Sequence, residues 1–167
     1  GIAFGEGPGS FTGLRIACGV AQGLAFAMNI PVVGVSTLKA LATQVGNAKV
    51  VVALDARMGE IYYAAYEKIT DQDWKTVNAP ILCTPRNVPN LTGNDWVGCG
   101  SGFDVFNNEL SERYCNHIRE TRSGLFPRAK EIVQLALPVL KCGNGIHPSE
   151  AVPSYIRNKV ALKESER

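Results

Sequence analysis

Several short stretches of this 167-residue chain hold residue types that could do chemistry, and each has an ordinary alternative. In GPGSFTGLR, Gly7, Gly9 and Gly13 lie where a strand gives way to a helix, so backbone N–H groups there could face an anion. The phosphate fingerprints fail in detail. A P-loop needs Lys after its last Gly, and a dinucleotide turn needs G-x-G-x-x-G, whereas the spacing here is G-x-G-x-x-x-G. A tight strand-to-helix turn is the better local reading. A second glycine turn, VGCGSGF, places Gly98, Gly100 and Gly102 where they could face a base or a phosphate in a nucleotide-binding fold.

Asp55, Arg57 and Glu60 gather at a hairpin tip. Two carboxylates there could work as an acid/base pair, but a turn tied by Arg57 to either acid is far commoner. Cys99, between Gly98 and Gly100, reads as exposed enough to weigh as a nucleophile. No His lies near it in sequence, so an inert thiol is expected. His117 and His147 stand apart, without H-x-x-x-H or H-E-x-x-H, so no metal site is expected and each reads as a surface residue. Ser10 is not in a G-x-S-x-G elbow. Arg113, Arg119, Arg122, Arg128 and Lys130 are interspersed with acids and read as a solvated face, able to meet RNA only together with partners.

The elements that must position these residues follow from periodicity and turn signals. Residues 2–4 form a short apolar strand, 11–28 a helix ended by Asn29, 31–35 a buried parallel-type strand, and 37–45 a helix capped by Ser36 and closed by Gly46. Strand–helix–strand–helix is α/β grammar, and it sets residues 1–46 apart from 47–167. In the second part, KVVVALD and EIYYAAYEK flank a turn at 56–59, residues 70–95 read as loop-rich, 96–98 as a strand and 103 onward as a helix. Residues 129–140 form a further helix whose end Pro138 limits, and the charged tail is expected to fray. The chain opens on Gly1-Ile2-Ala3-Phe4, a strand already under way, so a preceding segment is expected.

Composition bounds the function. Hydrophobic content of 46% and charged content of 19% describe an ordinary folded chain. Seventeen Lys and Arg against 15 Asp and Glu give a net charge of +2, too little to imply nucleic-acid binding by this chain alone. No membrane segment or signal peptide is read, and five scattered cysteines without C-x-x-C fit a reduced, cytoplasmic setting.

The helix at 11–28 is the most informative element. At about 100° per residue, Phe11, Leu14, Cys18, Ala21, Ala25 and Met28 line one face, and Ile16, Val20, Leu24 and Ala27 widen the apolar surface to roughly 220°. The seam holds Thr12, Arg15 and Gln22, with Gly19 and Gly23 beside it. Each of those glycines weakens a helix by about 1 kcal/mol relative to Ala, which suggests close approach by another helix. That helix could be the domain's own second one, or a partner's.

Four blocks, GPGSFTGLRIACGVAQGLAF, PVVGVSTLKALA, VVVALDARMGEIYYAAY and PSYIRNKVA, together resemble the bacterial TsaB (YeaZ) family in order and spacing. The resemblance implies a two-lobed actin-like (ASKHA) α/β fold built from RNase H-like halves, with the first lobe incomplete here. It also implies a non-catalytic role in making threonylcarbamoyladenosine at position 37 of tRNA. In that pathway a TsaD-type subunit transfers the group, a TsaE-type ATPase supports turnover, and tRNA and ATP engage the assembled complex. The TsaB-type subunit docks TsaD through its N-lobe helices, which assigns partner contact to Thr12, Gly13, Arg15, Gly19, Gln22 and Gly23. The metal-binding His-x-x-x-His of TsaD-type proteins falls at Thr37 and Leu41 here, which cannot hold a metal. The glycine-rich phosphate segment of TsaD falls near 55–58, where side chains stand instead. The rival readings are a self-associating nucleotide-binding module, with a homodimer on the same helix, and a glycoprotease-like hydrolase.

Overall fold

Parallel strand neighbours need a crossover, and the first 45 residues provide one. The structure is a computed structural model that describes residues 1–70 and 73–157. Strand β1 (Ile2–Gly7) pairs in parallel with β2 (Val32–Ser36), setting Ile2 opposite Val32 and Gly5 opposite Val35. Helix α1 (Phe11–Met28) connects them. It begins where the Ser10 hydroxyl accepts the Gly13 N–H, and it ends at Asn29 in the left-handed region. The chain then passes directly into α2 (Thr37–Val45), capped by Ser36 and closed by Gly46 with φ of 73°.

The second sheet has the order β5-β4-β3-β6-β7. Strands β3 (Lys49–Asp55), β4 (Ile61–Lys68) and β5 (Trp74–Cys83) form an antiparallel meander. On the other side of β3, β6 (Trp96–Cys99) and β7 (Ile118–Arg122) add in parallel. The central β3 is an unbroken apolar run because both its faces are covered. Val50 and Val52 pack with Leu38, Leu41 and Val45 of α2. On the reverse side, Val51 and Ala53 pack with Phe103 of α3 (Ser101–Val105) and Leu110 of α4 (Asn107–Arg113).

Two edge strands depart from the sequence reading. The stretch at 70–95, read as loop-rich, contains the ten-residue β5. Only one side of β5 is paired, so polar residues and Pro80 are tolerated in it and mask its strand character. The charged IRETR of β7 is an edge strand for the same reason. Helix α5 (Ala129–Lys141) also continues past Pro138 to Lys141.

Residue 46 separates the two sheets, but the chain crosses back. Ile132 and Ala136 of α5 pack on Val33, Val35 and Ala40. Ile146 exchanges backbone hydrogen bonds with Val32, its N–H donating to Val32 at 2.9 Å and its carbonyl accepting at 3.0 Å. The described end of the tail does not fray. Ser154 N–H donates to the Glu6 carbonyl at 2.7 Å, so residues 151–157 form a strap across the first sheet and α1. Residues 158–167, which hold the rest of the charged tail, lie outside the described residues.

Candidate docking face

Helix α1 spends one face on its own lobe. Cys18, Ala21 and Ala25 pack with Phe4, Val32 and Ala151, and Leu14 is buried on the same side. By length and composition α1 is also apolar enough to cross a membrane, so its opposite face needs an explanation. There Ile16, Val20 and Leu24 are 61%, 56% and 54% exposed, at a spacing that aligns them in one stripe. Thr12, Gly19, Gly23 and Ala27 lie along the same stripe and are exposed. Among the described residues nothing lies within 4 Å of where a Cβ at Gly19 or Gly23 would stand. Phe26 and Met28 extend the exposed apolar surface toward the C-terminal end.

The domain's own second helix does not fill this space. Ala40 of α2 packs with α5 against Val33 and Val35, whereas Phe4 and Val32 face α1. The two-sided pattern read from the sequence is therefore one face packed on the sheet and one left open.

The six residues assigned to docking divide by direction. Thr12, Gly19 and Gly23 stand on the open stripe, and exposed Gly13 lies beside Ser10 at its edge. Arg15 stands on the flank. Its Nε donates to the Tyr155 hydroxyl at 2.9 Å, and its guanidinium lies 3.9 Å from the Phe11 ring centre. Gln22 points inward: its amide nitrogen donates to the carbonyls of Pro148 and Ala151 at 3.1 and 3.0 Å. Both amide protons are thus committed within the chain, although Gln22 was among the residues assigned to partner contact. Between the start of α1 and the strap lies a cleft of about 390 Å³, lined by Phe11, Arg15, Tyr62 and Tyr155.

The other candidates resolve into structure. Gly98, Gly100 and Gly102 are buried. A Cβ on Gly98 would stand 2.8 Å from the Phe103 ring, one on Gly100 would overlap the Ala53 carbonyl, and one on Gly102 would stand 2.9 Å from Ala53. Gly98 lets β6 lie against Phe103 of α3, and Gly100 and Gly102 let the start of α3 approach Ala53 of β3, so each glycine has a packing role. Cys99, read as exposed, is fully buried, and burial pushes its thiol up to about 12. At the hairpin tip, Asp55 accepts the Arg57 backbone N–H at 2.8 Å and pairs with its guanidinium at 3.3 Å. Glu60 pairs instead with Arg157 at 2.8 Å, a partner nearly a hundred residues away that no local pattern could supply.

Leu41 is fully buried in the core, and the Thr37 hydroxyl donates to the Pro8 carbonyl. Among the described residues no group of three His, Cys, Asp or Glu could hold a metal ion. His147 is exposed and caps the turn at 148–150, while half-buried His117 sets its Nδ1 2.6 Å from the Gly93 carbonyl. Arg122 and Arg128 pair with Glu120 and Glu131, and Arg113 binds Asn90, so part of the basic surface is committed within the chain.

Comparison with known proteins places the chain in a family. A family model described as TsaD, tRNA N6-adenosine threonylcarbamoyltransferase, matches residues 1–164. The tRNA threonylcarbamoyladenosine biosynthesis protein TsaB of Escherichia coli K12 is 35% identical over 171 residues, covering 98% of this chain and 73% of the relative. The chain belongs to the TsaB (YeaZ) family. The TsaB of Haemophilus influenzae Rd is 34% identical, with 98% of this chain and 72% of the relative covered. The solved structure described as YeaZ from Pseudomonas aeruginosa superposes with a TM-score of 0.81 at 35% identity, covering 92% of this chain and 72% of that one. The TsaB family's actin-like α/β fold is therefore this chain's fold. At Thr37 and Leu41 the TsaB-family chain keeps the fold and uses for packing the positions where the resemblance sets the metal-binding histidines of TsaD-type proteins.

Proposed function

We propose that this TsaB-family chain is a non-catalytic subunit of the machinery that places threonylcarbamoyl on adenosine 37 of tRNA, and that it docks a TsaD-type transferase through the outer face of α1. One observation carries the reading. Helix α1 has two opposite apolar faces, of which one is packed on β1 and β2 while the other is open and notched by Gly19 and Gly23. Large apolar side chains left more than half exposed along one helix mark a contact surface, and small residues between them admit a second backbone. The family relatives' names supply the pathway. Cys99, the thiol weighed as a hydrolase nucleophile, is buried, which supports the non-catalytic reading over a hydrolase that uses it. A TsaE-type ATPase, ATP and tRNA would join through the assembled complex. A homodimer would use the same stripe and compete with the transferase for it.

The test is light scattering on a sizing column, with the protein alone and mixed with a TsaD-type subunit. A 1:1 complex that draws protein out of any homodimer is the expected result. Gly19→Arg should block that complex while keeping the circular dichroism and without lowering the melting temperature, because the added side chain projects into open space and replaces a helix-weakening glycine. An unaltered affinity in this variant would remove α1 from the interface.

A further inference from the structure

We infer that the partner covering α1 carries an Asp or Glu set against Arg15, at the N-terminal end of the helix; this rests on the docking reading above and specifies its chemistry. Arg15 is the single charged residue among the 18 of α1. It is held on three sides. Its Nε donates to the Tyr155 hydroxyl at 2.9 Å, its guanidinium lies over the Phe11 ring, and the Tyr155 ring centre is 5.9 Å away. The two rings pack on each other with centres 5.6 Å apart. Tyr155 in turn is fixed because the strap is anchored on both sides of it, by Ser154 to Glu6 and by Arg157 to Glu60.

All of this grips the guanidinium by Nε and by its face. Among the described residues no carboxylate pairs with Arg15, and no acceptor engages its two η-nitrogens. An arginine serving only solubility would keep its rotamers free, whereas this one is pre-organised beside an apolar stripe. Covering the stripe with a purely apolar surface would strand the charge away from water, which opposes association. Two parallel N–H donors in a fixed plane match a carboxylate. A second copy of the chain could not supply one from the same helix, since α1 contains no Asp or Glu. The occupant this chemistry fits is therefore a different protein, presenting small or apolar residues and one acid near the end that meets Phe11 and Arg15.

The experiment measures the affinity of the full-length protein for the transferase subunit at about 50 and about 300 mM NaCl, for wild type, Arg15→Gln, Arg15→Lys, Tyr155→Phe and Gly19→Arg. Wild-type affinity should fall as salt rises. Arg15→Gln should bind at least about tenfold more weakly at low salt and lose the salt dependence. Arg15→Lys should keep the salt dependence, and Tyr155→Phe, which removes only the orienting hydroxyl, should weaken binding less than Arg15→Gln does. The inference is overturned if Arg15→Gln binds like wild type with the same salt slope while Gly19→Arg still blocks the complex. It is equally overturned if Arg15→Gln alters only a homodimer. If Gly19→Arg is silent too, the docking reading itself has failed.

Discussion

A glycine in a strand-to-helix turn can serve a ligand or the chain itself, and what a Cβ would touch separates the two. At Gly102 that atom would stand 2.9 Å from both the Cβ and the carbonyl oxygen of Ala53, in the middle of the central strand. Neither neighbour can swing away as a long side chain would. Gly102→Ala should therefore cost about 1–3 kcal/mol of stability, read by chemical denaturation, with partner affinity retained. Wild-type stability in this variant would show that α3 and β3 are not in close contact there. Cys99 reads as exposed in sequence because flanking glycines suggest a loop, but it ends β6 on the opposite side of the sheet and packs with Leu38, Leu41 and Val52. Composition names the glycine and not the side from which space is taken. Asp55 and Arg57 were legible because their contact closes within two residues, while the Glu60 partner came from the far end of the chain.

At the scale of the element, α1 was legible almost entirely. Its end follows from Asn29 and its double-faced apolar surface from periodicity alone, while the Ser10 cap emerges from the structure. What the helical projection could not give is which side each polar residue serves. Gln22 falls in the same seam as Arg15, yet its amide reaches carbonyls 126 and 129 residues away in sequence. Strand β5 escaped notice for a related reason, since an edge strand satisfies one neighbour and looks polar. The open glycines give this element its own prediction. With nothing among the described residues within 4 Å, Gly19→Ala and Gly23→Ala should each stabilise the free protein by about 1 kcal/mol through helix propensity. Each should nevertheless weaken the transferase complex, because a methyl group occupies the notch. Melting temperature and dissociation constant measured on the same variants check this opposition. A rise in both stability and affinity would mean that no backbone approaches the helix there.

Across the whole molecule, the strap at 151–157 joins α1 to the second sheet. It hydrogen-bonds β1 through Ser154, touches α1 through Ala151 and Tyr155, and reaches the β3–β4 hairpin through Arg157. The Arg157 side chain is only 13% exposed. Its Nη2 donates to the Ala56 carbonyl at 2.9 Å and pairs with Glu60 at 2.8 Å, with the Arg57 carbonyl 3.4 Å away. The turn it caps has Arg57 and Met58 in the left-handed region, at φ of 63° and 57°, a conformation that side chains adopt at a cost. Arg157→Ala should leave those carbonyls and the Glu60 carboxylate without their donor and lower stability by about 1–3 kcal/mol. The loss should be local in hydrogen exchange. Amides of residues 56–60 should lose protection, while those of β3, the fully covered central strand, should not. Arg157→Lys should restore only part of the effect, since one ammonium cannot reproduce a planar fork reaching two carbonyls and a carboxylate. If the hairpin amides kept their protection in Arg157→Ala, the strap would belong to the first lobe alone. The positioning of Tyr155 on Arg15 would then rest on Ser154 without help from the second sheet.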